Sequence, residues 1–282
     1  FNMKQKTFEV TDNVTIFKGN HTITVGTHNE FYNITYGFVN SWNGRIDYKN
    51  IDSFLLYNPN RVRGNFNYTN NSRDYIMSNP PAQFKANLLS LYGQDEIQIT
   101  DRFKITPGIR FDYTGIPNKQ PLSDKTIKAP VDPNYGNTYT YTKPQDIKND
   151  FLNNVQISPR LGFNYDIKGD NSMVLRGGSG FFTGRIPFAW LGYAFYNNGV
   201  TYGAYDQRNT TPFVNGPNPA AKPSPNGIAD FASQNGVNVN NAAGATQVDL
   251  IDNNFKMPQV WRSSLAFEYN TRDQWKFSIE GI

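Results

Sequence analysis

No cysteine occurs in this 282-residue chain. That absence excludes a disulfide-stapled scaffold, a thiolate metal site and a cysteine nucleophile. Histidine is scarce as well, with only His21 and His28. They lie an odd number of positions apart in one alternating segment, so their side chains face opposite ways, which argues against a metal pair. No run of ~18 apolar residues exists, so no transmembrane helix is expected. Charge of one sign is never concentrated. The 27 basic and 23 acidic residues leave a net charge of +4, and nucleic-acid binding through a basic face has no support. Gly177-Gly178-Ser179-Gly180 lacks the Lys-Ser/Thr that completes a phosphate loop. Ser-His-Asp chemistry has no nucleophile elbow. Asp95 and Glu96 are neighbours on a predicted strand, so they face apart and do not form a catalytic pair. We expect no enzyme and no cofactor.

Aromatic residues are plentiful at 15%, and Gly is frequent. That mixture points to β structure. Helical periodicity is weak, with one short turn predicted near Asn50–Leu55. The main signal is alternation. Phe103, Ile105, Pro107, Ile109, Phe111 and Tyr113 share a face opposite Lys104, Thr106, Gly108, Arg110 and Asp112. Pro159, Leu161, Phe163, Tyr165 and Ile167 oppose Ser158, Arg160, Gly162, Asn164 and Asp166. Trp261, Leu265, Phe267 and Tyr269 oppose Arg262, Ser264, Ala266 and Glu268, and Trp275, Phe277 and Ile279 oppose Lys276, Ser278 and Glu280. Phe8, Val10, Val14 and Ile16 alternate with polar residues, as do Ile23 and Val25. The segment Gln83–Gln98 alternates too poorly to choose its outer face.

The strands pair into hairpins across short polar turns near Asn20, Asp101, Asp170 and Arg272, with turn residues suited to the task. Between hairpins the connections are long, about Asn33–Ala82, Thr114–Val155 and Thr183–Pro258. Such lengths are unusual inside a compact soluble domain. Short turns alternating with long loops, strands long enough for the ~9–11 residues of a crossing, and aromatics near strand ends are features of outer-membrane barrels. A mean hydropathy of −0.61 is compatible with that, because only every second strand residue meets lipid. The expected fold is all-β: an up-and-down antiparallel transmembrane β-barrel with long extracellular loops, here partial at about eight strands. A soluble β-sandwich also has one apolar and one polar face and remains the alternative. The stretch Thr210–Ala245, rich in Pro, Gly, Ala and Asn, is expected to be mobile.

Leu91-Tyr-Gly-Gln-Asp-Glu-Ile-Gln-Ile-Thr100 and Thr106-Pro-Gly-Ile-Arg-Phe-Asp-Tyr113 resemble the paired strands of TonB-dependent receptors. Ile157-Ser-Pro-Arg-Leu-Gly-Phe-Asn-Tyr165 resembles their next strand. Gly180-Phe-Phe-Thr-Gly-Arg-Ile-Pro-Phe-Ala-Trp190 and Met257-Pro-Gln-Val-Trp-Arg-Ser-Ser-Leu-Ala266 are similar to the Oar-like, carboxypeptidase-regulatory-domain-containing group of Bacteroidetes. The resemblance runs from about Thr11 to the end of the chain. It implies a bacterial outer membrane, outer-membrane lipid around the wall, energised uptake of a solute, and TonB as a partner acting through a plug. Neither plug nor TonB box is recognisable here. The chain, opening on Phe1 and ending within a predicted strand, is expected to be residues 1–282 of a partial barrel domain in a longer protein.

Two groups of candidate residues follow. Arg110, Asp112, Arg160, Arg176, Arg262, Glu268 and Lys276 are expected to face the lumen and to contact plug and solute, or merely to pair charges across strands. Trp190, Tyr193, Tyr196 and Tyr202 are expected near the extracellular mouth, binding ligand or anchoring the upper girdle. The functional alternatives are a structural or adhesive surface barrel and a secreted carbohydrate-binding β-protein.

Overall fold

The computed structural model describes residues 2–38, 45–56, 58–67, 69–70, 72–120, 142–148, 151–198, 200–208, 248–271 and 274–282. Its strands are β1 (Asn2–Lys18), β2 (His21–Gly37), β3 (Arg45–Asp47), β4 (Arg61–Asn67), β5 (Ala82–Thr100), β6 (Phe103–Gly115), β7 (Val155–Asp166), β8 (Met173–Thr183), β9 (Tyr202–Arg208), β10 (Gln259–Asn270) and β11 (Lys276–Gly281). Among the described residues three α-helices, α1 (Ile51–Leu55), α2 (Arg73–Ser78) and α3 (Phe188–Tyr196), lie between them.

Eight strands form one antiparallel meander in the order β1-β2-β5-β6-β7-β8-β10-β11. Every neighbouring pair is antiparallel. Strand direction therefore reverses at each step, and the tight turns share one rim while the long connections share the other. Hydrogen bonds between adjacent turns bear this out: Gln98 N–H donates to Asn20 O at 2.9 Å, Asp166 N–H to Arg102 O at 2.8 Å, and Asn270 N–H to Ser172 O at 2.8 Å. Arg272 itself lies outside the described residues. The first turn relies on Gly19, whose φ of +58° suits a residue without Cβ. At Asp170 the turn closes through the Asp166 carboxylate, which accepts from the N–H groups of Gly169 and Asn171.

Register fixes the two faces. Phe103, Ile105, Ile109, Phe111 and Tyr113 stand opposite Tyr165, Phe163, Pro159, Ile157 and Val155. Leu91 and Ile97 of β5 stand opposite Phe111 and Ile105, so they join this apolar face. Leu161 is 55% exposed and Ile279 72% exposed. No second layer covers this face among the described residues. The bonding of successive strands also satisfies the backbone polar groups of the strands between β1 and β11, as a lipid environment demands.

The core lies elsewhere, on the opposite face at the long-connection rim. Tyr32, Ile34 and Tyr36 of β2 and Ala82, Phe84 and Ala86 of β5 are buried there under Phe188, Leu191 and Phe195 of α3. Phe84 and Phe195 stack at 4.7 Å between ring centroids. This explains the poor alternation of β5. Its upper half carries Ala82, Phe84, Ala86 and Leu88 on the inner face against Gln83, Lys85 and Asn87, the apolar residues change face at Leu89 and Leu91, and Asp95 then sits on the otherwise apolar face, opposite Ile23.

The long connections carry structure of their own. A three-stranded sheet, β3-β4-β9, joins the first connection to the third. The predicted turn near Asn50–Leu55 is α1, whose Asn50 side chain accepts from Ser53 N–H at 2.8 Å. The stretch Thr210–Ala245 lies outside the described residues.

Candidate functional site

The polar face of the meander carries the first candidate group in cross-strand rows. Arg110 Nε donates to Asp112 Oδ1 at 2.7 Å, and its Nη2 reaches Ser90 Oγ at 2.6 Å. Ser90 Oγ in turn donates to Asp112 at 2.8 Å. Nearer the turns, Glu268 takes Arg176 and Lys276, each at 2.9 Å. Lys104 pairs with Glu96 at 2.7 Å. Apart from Arg110–Asp112, which lie two residues apart on β6, these contacts join residues on neighbouring strands and act as cross-strand ties.

Arg160 and Arg262 differ. Both are exposed on the same face, and neither holds a carboxylate among the described residues. The Arg160 guanidinium lies 4.3 Å from the centre of the Phe182 ring, a cation–π contact. In register, Arg160 and Arg262 both stand opposite Gly180 of β8, one on each side. Both border a concavity of about 600 Å³ with Arg110, Gly162, Gly178 and Ser264.

Sequence reasoning did not single out the network at the opposite rim. Arg185 Nη2 reaches both carboxylate oxygens of Glu30, at 2.6 and 2.8 Å, and Arg185 Nη1 meets the Tyr32 hydroxyl at 2.5 Å. His28 Nε2 lies 2.9 Å from Glu30, and its Nδ1 lies 2.8 Å from Thr11 Oγ1. The signal available was the even spacing of His28, Glu30 and Tyr32, which places them on one face. Nothing local links Arg185 to them across 155 residues. His21, by contrast, pairs with Asp95 at 2.7 Å on the apolar side, so the two histidines do face apart.

The aromatic candidates divide. Trp190 is 65% exposed on α3, and Tyr193 is half-buried with its ring against Tyr36 and Phe38. Tyr196 and Tyr202 are corrections to the expected ligand surface. They are buried with Ile76, their rings 5.1 Å apart, and burial pushes both phenols above the usual tyrosine range. Tyr202 Oη donates to Asn79 O at 3.2 Å. A helix whose residues are nearly all apolar buries most of its surface, and Tyr196 lies on a covered side. Neither tyrosine is available to a ligand at the mouth.

Electrostatics also organise the rim. Asp47 of β3 takes Arg45 at 2.8 Å and Arg63 at 3.0 Å. The Arg45 hydrogen bond holds its carboxyl below the usual range. Asp252 accepts from both Thr142 N–H and Thr142 Oγ1, at 2.5 and 2.6 Å, which lowers its pKa and ties two long connections together.

An open antiparallel meander with one uncovered apolar face, one polar face and alternating short and long connections is the wall of a membrane barrel. The chain belongs to the outer membrane beta barrel domain family, which it matches over residues 1–281. Its location is the outer membrane. Two solved structures are similar to it. The siderophore receptor PirA from Acinetobacter baumannii aligns at 12% identity with a TM-score of 0.42, over 96% of this chain and 25% of that one. The FrpB iron transporter from Neisseria meningitidis aligns at 8% identity with a TM-score of 0.28, over 99% of this chain and 37% of that one. The chain thus spans well under half the length of either. No curated protein sequence matches it significantly.

Proposed function

We propose that this chain is part of the barrel wall of a TonB-dependent transporter that takes up a solute across the outer membrane. The observation that carries the reading is the polar face itself. Arg110, Asp112, Arg160, Arg176, Arg262, Glu268 and Lys276 lie there in register across consecutive strands, which suits a wet lumen large enough to hold a plug. The receptor-like segments Leu91–Thr100, Thr106–Tyr113 and Ile157–Tyr165 support the TonB assignment, and the Gly180–Trp190 and Met257–Ala266 segments support an Oar-like subgroup. The plug and the TonB-contacting segment belong to the longer protein. Solute binds at the mouth, where Trp190 and Tyr193 are, of the four aromatic candidates, the two not buried, and no covalent chemistry is involved.

The test is uptake in cells that carry the full-length gene. Radiolabelled medium components retained by wild-type cells but not by a strain lacking the gene identify the cargo. That retention is expected to disappear when TonB is deleted or the proton gradient is collapsed. Gene-dependent retention that survives both treatments overturns energised transport. Loss of cell–cell or matrix adhesion without any retained compound favours a structural or adhesive barrel.

A further inference from the structure

We infer that Arg160 and Arg262 form an oxyanion-binding slot on the lumen wall, suited to a small solute carrying more than one carboxylate or phosphate. The inference rests on the transport reading above and names the chemical class of the solute. Across four consecutive strands the register runs Gly108, Arg160, Gly180, Arg262. The next row towards the short turns is Thr106, Gly162, Gly178, Ser264. Two guanidinium groups therefore flank a strip of backbone with no side chain, and hydroxyls lie below it. Strand spacing puts the two arginine backbones ~10 Å apart, and their long side chains leave a gap that a small multivalent anion bridges. Guanidinium forks bind carboxylate and phosphate in this way, often with two parallel hydrogen bonds.

The neighbouring cations argue that the lack of a carboxylate partner is a feature of this row. Arg110, Lys104, Arg176 and Lys276 on the same face each hold a carboxylate. Arg160 and Arg262 hold none among the described residues. Arg160 spends its Nε on the Phe181 carbonyl at 3.4 Å, and both arginines line the open concavity of about 600 Å³, a ligand-sized space. Gly180 is required for the arrangement. A Cβ there would come within 2.8 Å of Arg160 Cγ and 2.8 Å of Pro159 O, so any side chain displaces Arg160. The Phe182 ring holds the Arg160 guanidinium from the other side. Glu280, the acidic residue bordering the same space, stands opposite Ala266, two rows from Arg262, and does not fill the slot.

Citrate titrated into the full-length protein in detergent, followed by calorimetry, is the test. Saturable binding is expected, weakened at least tenfold by Arg160→Gln and by Arg262→Gln. Arg160→Lys, which keeps charge but loses the fork, is expected to weaken it by a smaller factor. Lys276→Gln, a paired cation elsewhere on the face, is expected to change it less than twofold. Absence of citrate binding to the wild type overturns the inference and assigns the arginines to an acidic segment of the longer protein. Binding that is equal in wild type, Arg160→Gln and Arg262→Gln also overturns it. Binding lost in both variants while uptake proves independent of TonB keeps the slot and removes the transport reading beneath it.

Discussion

Phe163 and Gly162 are neighbours on β7 with opposite surroundings. Phe163 stands on the apolar face opposite Ile105 and Gly177, and its ring covers Gly177, where an added Cβ would meet it at 2.9 Å. Gly162 faces the polar side, where the nearest atom to an added Cβ is 3.7 Å away. Phe163→Arg in the full-length protein is expected to destabilise the barrel by roughly 2–4 kcal/mol, the depth-dependent cost of a lipid-facing charge. Gly162→Ser is expected to cost far less. Refolding into bilayers of decreasing thickness separates lipid from ordinary packing, because the Phe163→Arg penalty shrinks only if lipid surrounds the residue. Tyr196 offers a second case. Its buried hydroxyl has no hydrogen-bond partner among the described residues. Tyr196→Phe removes that desolvated group and keeps the ring, so unfolding should show stability unchanged or raised by about 1 kcal/mol. A loss of stability would mean that the hydroxyl is satisfied after all.

Strands were legible in the sequence where one face is apolar and the other polar. That holds for β6, β7, β10 and β11, and their hairpins lie where alternation puts them. It fails for β5, because Phe84, Ala86 and Leu88 meet α3 and its flanking residues on one face, while Leu89 and Leu91 occupy the other. α3 was illegible for a related reason. Phe188-Ala-Trp-Leu-Gly-Tyr-Ala-Phe-Tyr196 has no polar face, so its period of 3.6 leaves no contrast to read. The helix is set by what it covers. Strands β2 and β5 are 17 and 19 residues long, beyond the ~9–11 needed to cross a bilayer, and α3 packs on the surplus. Phe195→Ala should therefore cost about 3–5 kcal/mol of local stability, seen as faster hydrogen exchange in α3 and upper β5 with the turn-side hairpins unchanged. The tie between the long connections is a set of hydrogen bonds to one carboxylate. Asp252 has a depressed pKa in the folded state, owing first to the Thr142 hydroxyl and then to backbone N–H donors. A depressed carboxyl stabilises above its unfolded pKa of about 3.9, and that stability is lost as pH falls through the lower folded value. Amide protection at Thr142 and Asn254 should thus hold at neutral pH and vanish only in strong acid. Asp252→Ala, which removes both acceptor oxygens, should abolish it at every pH.

The molecule as a whole is a sheet with two unlike rims and two unlike faces, and its orientation in the membrane follows from that asymmetry. Tight turns need little chain and lie at the periplasmic rim of such barrels, while longer connections lie outside. Here the turn rim carries only short polar segments cross-bonded to one another. The other rim carries α1, α2, α3 and the β3-β4-β9 sheet. The turns also carry exposed charge: Asp170 is an exposed aspartate, its pKa lowered by hydrogen bonding to Ser172. Because this chain contributes no cysteine, single cysteines report on each rim directly. Lys148→Cys, exposed beside the 3₁₀ turn at Pro144–Asp146, is expected to react with a membrane-impermeant maleimide in intact cells. Asp101→Cys, exposed in the tight turn between β5 and β6, is expected to react only after the outer membrane is permeabilised. The full-length wild-type protein, labelled in parallel, supplies the baseline for both. Reversal of the two patterns would invert the barrel. Equal labelling of both positions in intact cells would place the sheet outside the membrane and remove the basis of the transport proposal.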